Sequence, residues 1–243
     1  MRAMVLAAGL GTRLRPLTDD RPKALVEVAG RTLLEITLAR LRDCGVGEVI
    51  VNVHHFADMV VDYLRVRENF GMKIEVSRED ILLDTGGGLK KAAWFFLHDP
   101  SPFILHNVDV VSTIDLHSMV QYHIENHALA TLAVQHRESS RQLLFDEHLQ
   151  LCGRRTRRGQ KTEWTRSPKA VEELAFSGIH VISPALLTMM SEEGVFSIIK
   201  TYLRLAGQGE KILAFRADEY YWADLGTPES LVQAVEDLRE KGL

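Results

Sequence analysis

Glycines and cations at the start of this chain are spaced as a phosphate would need them. A short apolar run, Met4-Val5-Leu6-Ala7-Ala8, leads into Gly9-Leu10-Gly11, and Arg13, Arg15 and Lys23 follow on a loop stiffened by Pro16 and Pro22. The glycines let the backbone turn tightly and approach a ligand without Cβ interference. Amides in such a turn point outward and form a nest for an anion, typically a phosphate. Two aspartates offer a second chemistry. Asp109 ends the apolar stretch Phe103–Val108, and Asp224 follows Tyr221-Trp222-Ala223. A lone carboxylate at the end of a buried strand is costly unless it pairs or binds a metal. Together they could hold one Mg²⁺ against substrate phosphates, an all-oxygen set completed by water. A helix N-cap is the other reading of either aspartate.

Two common phosphate loops do not fit. A Walker A loop needs Gly-Lys followed by Ser or Thr, and the chain has none. The dinucleotide fingerprint G-x-G-x-x-G needs glycine or alanine where Leu14 stands. Pro16 would also fall in the second turn of that fold's first helix, at a cost of about 3 kcal/mol. What the chain has instead is G-x-G-T-R-x-x-P-x-T followed by Pro22-Lys23.

That string resembles the signature of the sugar-1-phosphate nucleotidyltransferases, the enzymes that make nucleoside-diphosphate sugars. Three further stretches resemble the same family in its order: Asp84-Thr85-Gly86-Gly87-Gly88-Leu89, His106-Asn107-Val108-Asp109-Val110, and Trp222-Ala223-Asp224-Leu225-Gly226-Thr227-Pro228-Glu229. The resemblance covers nearly the whole chain. It implies a Rossmann-like nucleotidyltransferase fold, Mg²⁺ as cofactor, and an NTP and a sugar 1-phosphate as substrates. It gives Arg13 to the leaving β- and γ-phosphates and Lys23 to the space between the α-phosphate and the sugar phosphate. Nucleotide contacts are expected from Ala7, Ala8, Gly9, Gly11, Thr12, Gly86 and Gly87. Asn52 is either a contact for the base edge or a turn residue. Asn107, Gly178 and Glu173 are expected on the sugar side, and Asp109 and Asp224 at the metal.

Two departures stand out. Many relatives carry Glu-Lys-Pro before the strand equivalent to Phe176–Val181, using the Glu on sugar hydroxyls and the Lys on the sugar phosphate. This chain reads Arg166-Ser167-Pro168-Lys169 and then Glu172-Glu173. It also has Val108 where relatives often have glycine. Its length matches the compact members, such as N-acetylmuramate-1-phosphate uridylyltransferases and mannose- or heptose-1-phosphate guanylyltransferases. Uridylyl transfer is the favoured expectation. A phosphocholine cytidylyltransferase is the alternative, with Trp164, Tyr220, Tyr221 and Trp222 as material for an aromatic cage. A silent nucleotide-sugar sensor would have no need of Arg13, Lys23, Asp109 and Asp224 together.

The elements that must position these residues alternate along the chain. Strands are expected at Ala24–Val28, Glu48–Val53, Lys73–Val76, Phe103–Val108, Ala130–Gln135, Phe176–Val181 and Tyr220–Leu225. Between them come helices at Leu33–Leu41 (capped by Thr32), Ala57–Arg67, Leu89–Leu97 and Asp115–Asn126, with later ones at Pro184–Met190, Ser197–Ala206 and Pro228–Lys241. Continuous apolar runs suit strands buried on both faces. The pattern predicts an α/β fold with a doubly wound, mostly parallel sheet. Ligands of such sheets sit beyond the carboxyl ends of the strands, so the Gly9 loop and Asp109 should meet in one cleft. The polar segment 137–175 reads as a small β-hairpin insertion over the sheet, on the sugar side. All of 1–243 is expected to form one domain.

Composition narrows the partners. The formal charge of −4 gives no general reason to bind nucleic acid or anionic membranes. The one basic run, Arg154-Arg155-Thr156-Arg157-Arg158, reads as a solvated loop. Cys44 and Cys152 lack metal spacing and suit a reducing compartment, and no leader or bilayer-length apolar run is present. A cytoplasmic monomer or homodimer is expected.

Overall fold

Strands buried on both faces need helices on both sides, and the chain supplies them. The computed structural model describes residues 1–156 and 161–241. Its first part runs Arg2–Leu6 (β1), Glu27–Val28 (β2), Arg31–Thr32 (β3), Leu33–Asp43 (α1), Glu48–Val53 (β4), Ala57–Val66 (α2), Lys73–Arg78 (β5) and Asp84–Lys91 (α3). The middle runs Phe103–Asn107 (β6), Val110–Ser112 (β7), Leu116–Glu125 (α4), Ala130–Gln135 (β8), Arg141–Phe145 (β9), Leu151–Thr156 (β10) and Lys161–Trp164 (β11). Glu172–Ile182 (β12), Ala185–Thr188 (α5), Ile198–Gly207 (α6), Ile212–Arg216 (β13), Trp222–Asp224 (β14) and Pro228–Lys241 (α7) complete it.

β1 lies at the centre, parallel to both β4 and β6, and β5 adds a further parallel strand beyond β4. β12 runs antiparallel to β6 and carries the sheet on to β8 and β9. Side chains alternate between faces along a strand. Ala3 and Val5 of β1 therefore join α1, α2, α4 and α7 in one apolar cluster, while Met4 joins α3, α5 and α6 in the other. Local signals set several boundaries as expected. The Thr32 hydroxyl accepts the Glu35 amide at the start of α1, and Thr227 accepts the Ser230 amide at the start of α7.

Four segments differ from expectation. Ala24–Val28 is not a strand. The Pro22 carbonyl accepts the Leu25 amide in a tight turn over Lys23–Leu25, and only the last two residues pair, with β3. The third helix begins at Asp84, so its glycines lie inside it. The insertion has three antiparallel strands, β9 to β11, which extend the sheet edge through β12 instead of lying over it. Arg154 to Thr156 are strand within it, while Arg157 and Arg158 fall outside the described residues. β13, parallel to β8, had no counterpart in the reading of the sequence. Among the described residues no helix is long and apolar enough to cross a membrane.

Three histidines are buried in this frame. His180 bonds Tyr202, His123 bonds Thr131 and Ser183, and His106 bonds the Asn107 carbonyl. Burial pushes His106 and His180 down to about 3 and His123 to about 4. Their folded values lie below the unfolded one, so the unfolded chain binds the extra protons. Their contribution is complete above about pH 6.5 and is lost as the pH falls from there toward 4 for His123 and toward 3 for His106 and His180, by about 1.4 kcal/mol per pH unit for each ring. Urea unfolding at pH 7.0 and 5.5 should show a clearly lower midpoint at the acid pH. An unchanged midpoint would show that these rings are not held neutral.

Candidate active site

The phosphate-type loop turns where its glycines allow it. Gly11 has φ +63°, a left-handed conformation that glycine takes without penalty. A Cβ there would stand 2.9 Å from Thr18 and 3.1 Å from Lys23. The turn thus folds the loop back on itself, and Thr18 donates to the Gly11 carbonyl at 2.9 Å. Thr12-Arg13-Leu14 follow as one helical turn, anchored by buried Leu14. Lys23 returns under this turn and is only 8% exposed. Its ammonium donates to an Asp109 carboxylate oxygen.

The two aspartates are brought together by pairing of short strands. β7 and β14 run antiparallel, with Val110 opposite Asp224, and the Leu225 amide donates to the Asp109 carbonyl at 2.8 Å. Asp224 also approaches Arg13, at 3.9 Å. Gly226 makes room for that approach: a Cβ there would lie 2.5 Å from both Arg13 and the Asp224 carboxylate. Burial, followed by the charge of Asp109, pushes the Asp224 carboxyl above its ordinary value; Lys23 and Arg13 oppose this. A buried carboxylate beside a second carboxylate fits a divalent cation. Among the described residues no third His, Cys, Asp or Glu joins them, so the rest of a coordination shell would come from substrate phosphates and water, as suits Mg²⁺.

A cavity of about 450 Å³ opens at these ends of β1, β4 and β6. Ala8, Gly9, Gly11, Thr12, Arg13, Lys23, Asn52, Asn107 and Asp109 all line it, so the glycine loop and Asp109 do share a cleft. Asn52 is held from both sides. Its carbonyl oxygen accepts the Ala7 amide at 2.7 Å and its amide donates to Glu79 at 2.7 Å. Asn52 therefore ties the end of β1 to β4 while facing the cavity.

Other expected residues lie elsewhere. Gly86 and Gly87 face away from the cavity, their amides donating to the Phe196 carbonyl; a Cβ at Gly86 would meet the Phe196 ring at 2.4 Å. Their neighbours Asp84 and Thr85 line the cavity instead. Glu173 is on β12, in an ion pair with Arg155, and is not among the lining residues. Gly178, at φ +76°, sits where a Cβ would strike Val110 and the Asn107 amide, so it lies directly behind a cavity residue.

Sequence reasoning passed over Glu79 and Arg137. Glu79 is buried, accepting from Asn52 and from the Leu83 amide at 2.9 Å. Arg137 lies 3.7 Å over the Trp222 ring and donates to the Phe176 carbonyl at 2.7 Å. The only available signal was a charged residue beside an apolar strand, which is common on any surface.

Residues 2–143 match the pattern that defines the nucleotidyl transferase family. The chain is 34% identical to N-acetylmuramate alpha-1-phosphate uridylyltransferase of Caulobacter vibrioides, over 98% of this chain and 97% of that one. It is 27% identical to a mannose-1-phosphate guanyltransferase of Yarrowia lipolytica, over 96% of this chain and 62% of that longer protein. Among solved structures, HddC from Yersinia pseudotuberculosis complexed with GMP-PN superposes with a TM-score of 0.74 at 22% identity, over 98% of this chain and 99% of that one. UDP-glucose pyrophosphorylase complexed with UDP-glucose superposes with a TM-score of 0.78 at 16% identity, over 99% and 98%. At such identities these two structures bear on the fold alone. The family match over more than half the chain and the uridylyltransferase match along nearly all of it agree with the cleft described above: the chain belongs to the nucleotidyl transferase family and is an enzyme of that class.

Proposed function

We propose that this enzyme joins UTP and a sugar 1-phosphate into a UDP-sugar, releasing pyrophosphate. The observation that carries the reading is the convergence of Lys23, Arg13 and Asp109 on one cavity behind the glycine turn, with Asp224 beside them against Arg13. The preference for UTP rests on the uridylyltransferase relative, which matches this chain nearly end to end.

The chemistry needs little beyond placement and charge. The attacking group is an oxygen of the sugar phosphate, already ionised near neutral pH, so no general base is required. That oxygen bonds to the α-phosphorus of UTP while the bond to the β-phosphate oxygen breaks, and pyrophosphate leaves with the electron pair. Catalysis then rests on alignment and on stabilising the charge that builds on the transferring phosphoryl oxygens. Backbone amides of the Gly9–Gly11 turn cradle the triphosphate. Arg13 suits the leaving pyrophosphate, since its planar fork can take two oxygens at once. Lys23, buried and pointing at Asp109, supplies a fixed positive charge beside the α-phosphate. Asp109 and Asp224 would hold Mg²⁺, which when bound neutralises phosphate charge and aligns the reacting groups.

The cleft favours a sugar over choline as the acceptor. A choline cage needs open aromatic faces. Here one face of Trp222 is covered by Arg137, and none of Trp164, Tyr220, Tyr221 and Trp222 lines the cavity.

Pyrophosphate release with each of the five common NTPs, Mg²⁺, and a panel of sugar 1-phosphates and phosphocholine tests the assignment. One NTP paired with one sugar phosphate is expected. Turnover with CTP and phosphocholine alone would replace the reading, and silence with NTP binding intact would favour a sensor. Lys23→Ala should lower kcat by roughly 100- to 1,000-fold, the scale for removing one charge-stabilising donor, with UTP still binding in calorimetry; normal turnover would take Lys23 out of the mechanism. Asp109→Asn should abolish Mg²⁺-dependent turnover. Wild-type rates at low Mg²⁺ in that variant would refute the metal assignment.

A further inference from the structure

Arg137 has no ion pair among the described residues and packs on Trp222, two residues before Asp224 on β14. It follows β8 and lies over Trp222, 3.7 Å from guanidinium carbon to ring centre. Trp222 is itself fixed, donating from its indole nitrogen to the Ser177 carbonyl at 2.7 Å. One terminal nitrogen of Arg137 donates to the Phe176 carbonyl, and its Nε is buried with no hydrogen-bond partner. Arg137 forms no ion pair with any carboxylate among the described residues. Asp224 is the charge near enough to act on it, and that influence is outweighed by burial, which lowers the guanidinium's affinity for its proton. A half-buried guanidinium held rigid by stacking, with an unused donor, is costly to the fold on its own. An anionic ligand would repay it.

Position identifies the anion. Arg13 and Lys23 approach the two aspartates from the glycine loop, where the triphosphate lies, and each already faces a carboxylate. Arg137 follows β8 and comes onto β14 from the other direction, over Trp222, two residues before Asp224. The Phe176 carbonyl it binds opens the irregular part of β12, where pairing with β8 lapses between Phe176 and His180. Gly178 lies in that stretch, against the Asn107 amide. The acceptor brings a phosphate with a charge of about −2 near neutral pH. Arg13 is given to the leaving pyrophosphate and Lys23 is shared between the α-phosphate and the sugar phosphate, which leaves room for a further cation on the acceptor side.

We propose that Arg137 binds the phosphate of the sugar 1-phosphate, with Trp222 and the Phe176 carbonyl aiming its fork; this rests on the nucleotidyl-transfer reading above. Arg137 is then a substrate-binding residue that sets acceptor affinity and orientation.

Steady-state kinetics of the full chain with UTP, Mg²⁺ and the sugar 1-phosphate found in the panel test it, for wild type, Arg137→Gln and Arg137→Lys. Arg137→Gln should raise the acceptor KM roughly 10- to 100-fold, the value of one charge-assisted phosphate contact, and shift the UTP KM less than about twofold. Arg137→Lys keeps the charge without the fork or the stack and should fall between. If Arg137→Gln does not fold, as judged by its Tm, Arg137→Lys carries the test with the same split between substrates. An unchanged acceptor KM, or equal rises for both substrates, overturns the assignment. So does recovery of the variant at high Mg²⁺, which would make Arg137 a positioning residue for Asp224. A wild type silent with every NTP and acceptor overturns the nucleotidyl-transfer reading and this proposal with it, whereas an active wild type confines the failure to Arg137.

Discussion

Charge compensation around two neighbouring carboxylates is the constraint on which this cleft depends. Asp109 and Asp224 are held close by the β7–β14 pairing, and Asp224 is pushed toward its neutral form by burial and by its neighbour. Lys23 and Arg13 answer that charge, one from beneath the glycine turn and one from its helical turn. Neither cation could do so from an extended loop. Gly11 must reverse the chain for Lys23 to come back under it, and Gly226 must lack a side chain for Arg13 to reach Asp224. The apparent redundancy of glycines at both ends of the chain is therefore one requirement seen from two sides: close approach of oppositely charged groups.

That arrangement needs a stiff support, and the sheet provides it. β1 has a parallel neighbour on each side and apolar clusters above and below, so the loop leaving it starts from a fixed point. The Asn52 side chain extends the stiffness past the last backbone pair. It clamps the Ala7 amide and is in turn held by Glu79, which also accepts the Leu83 amide ahead of α3. One buried polar chain thus connects the phosphate loop to the helix whose first residues, Asp84 and Thr85, face the cavity. A fully satisfied network of this kind rigidifies what it joins. It suits chemistry in which alignment matters more than any acid or base.

The antiparallel half has a different role. β12 turns the sheet's direction and carries β9 to β11 beyond the parallel core, and its Phe176 carbonyl and Ser177 carbonyl hold Arg137 and Trp222. On the proposed reaction, two substrates that react end to end need cations from two directions, and Arg13 and Lys23 on one side and Arg137 on the other are the candidates to supply them.

The sequence by itself determined the class of fold, the phosphate loop and the identity of the charged residues, because each rests on local physics: apolar periodicity, glycine conformations, and the cost of a carboxylate at the end of a buried strand. Asp109 and Asp224 stood out as candidates for that reason, as did the caps at Thr32 and Thr227, while the roles expected of Arg13 and Lys23 came from the resemblance of their string to a family signature. What only the tertiary structure decided is where neighbours in sequence face. Gly86 and Gly87 were assigned to a ligand from their string of glycines, but Phe196, more than a hundred residues on, is what packs against them. Glu173 looked available until Arg155 crossed from β10 to meet it. The strand expected at Ala24–Val28 yielded to a turn that buries Lys23, and β13 found its place only because β8 offered an open edge. Arg137 carried only the signal of a charged residue beside an apolar strand, which is common on any surface. Its setting is made by Trp222 and Phe176 from distant strands, and contacts between distant segments are the one thing that spacing along a chain does not encode.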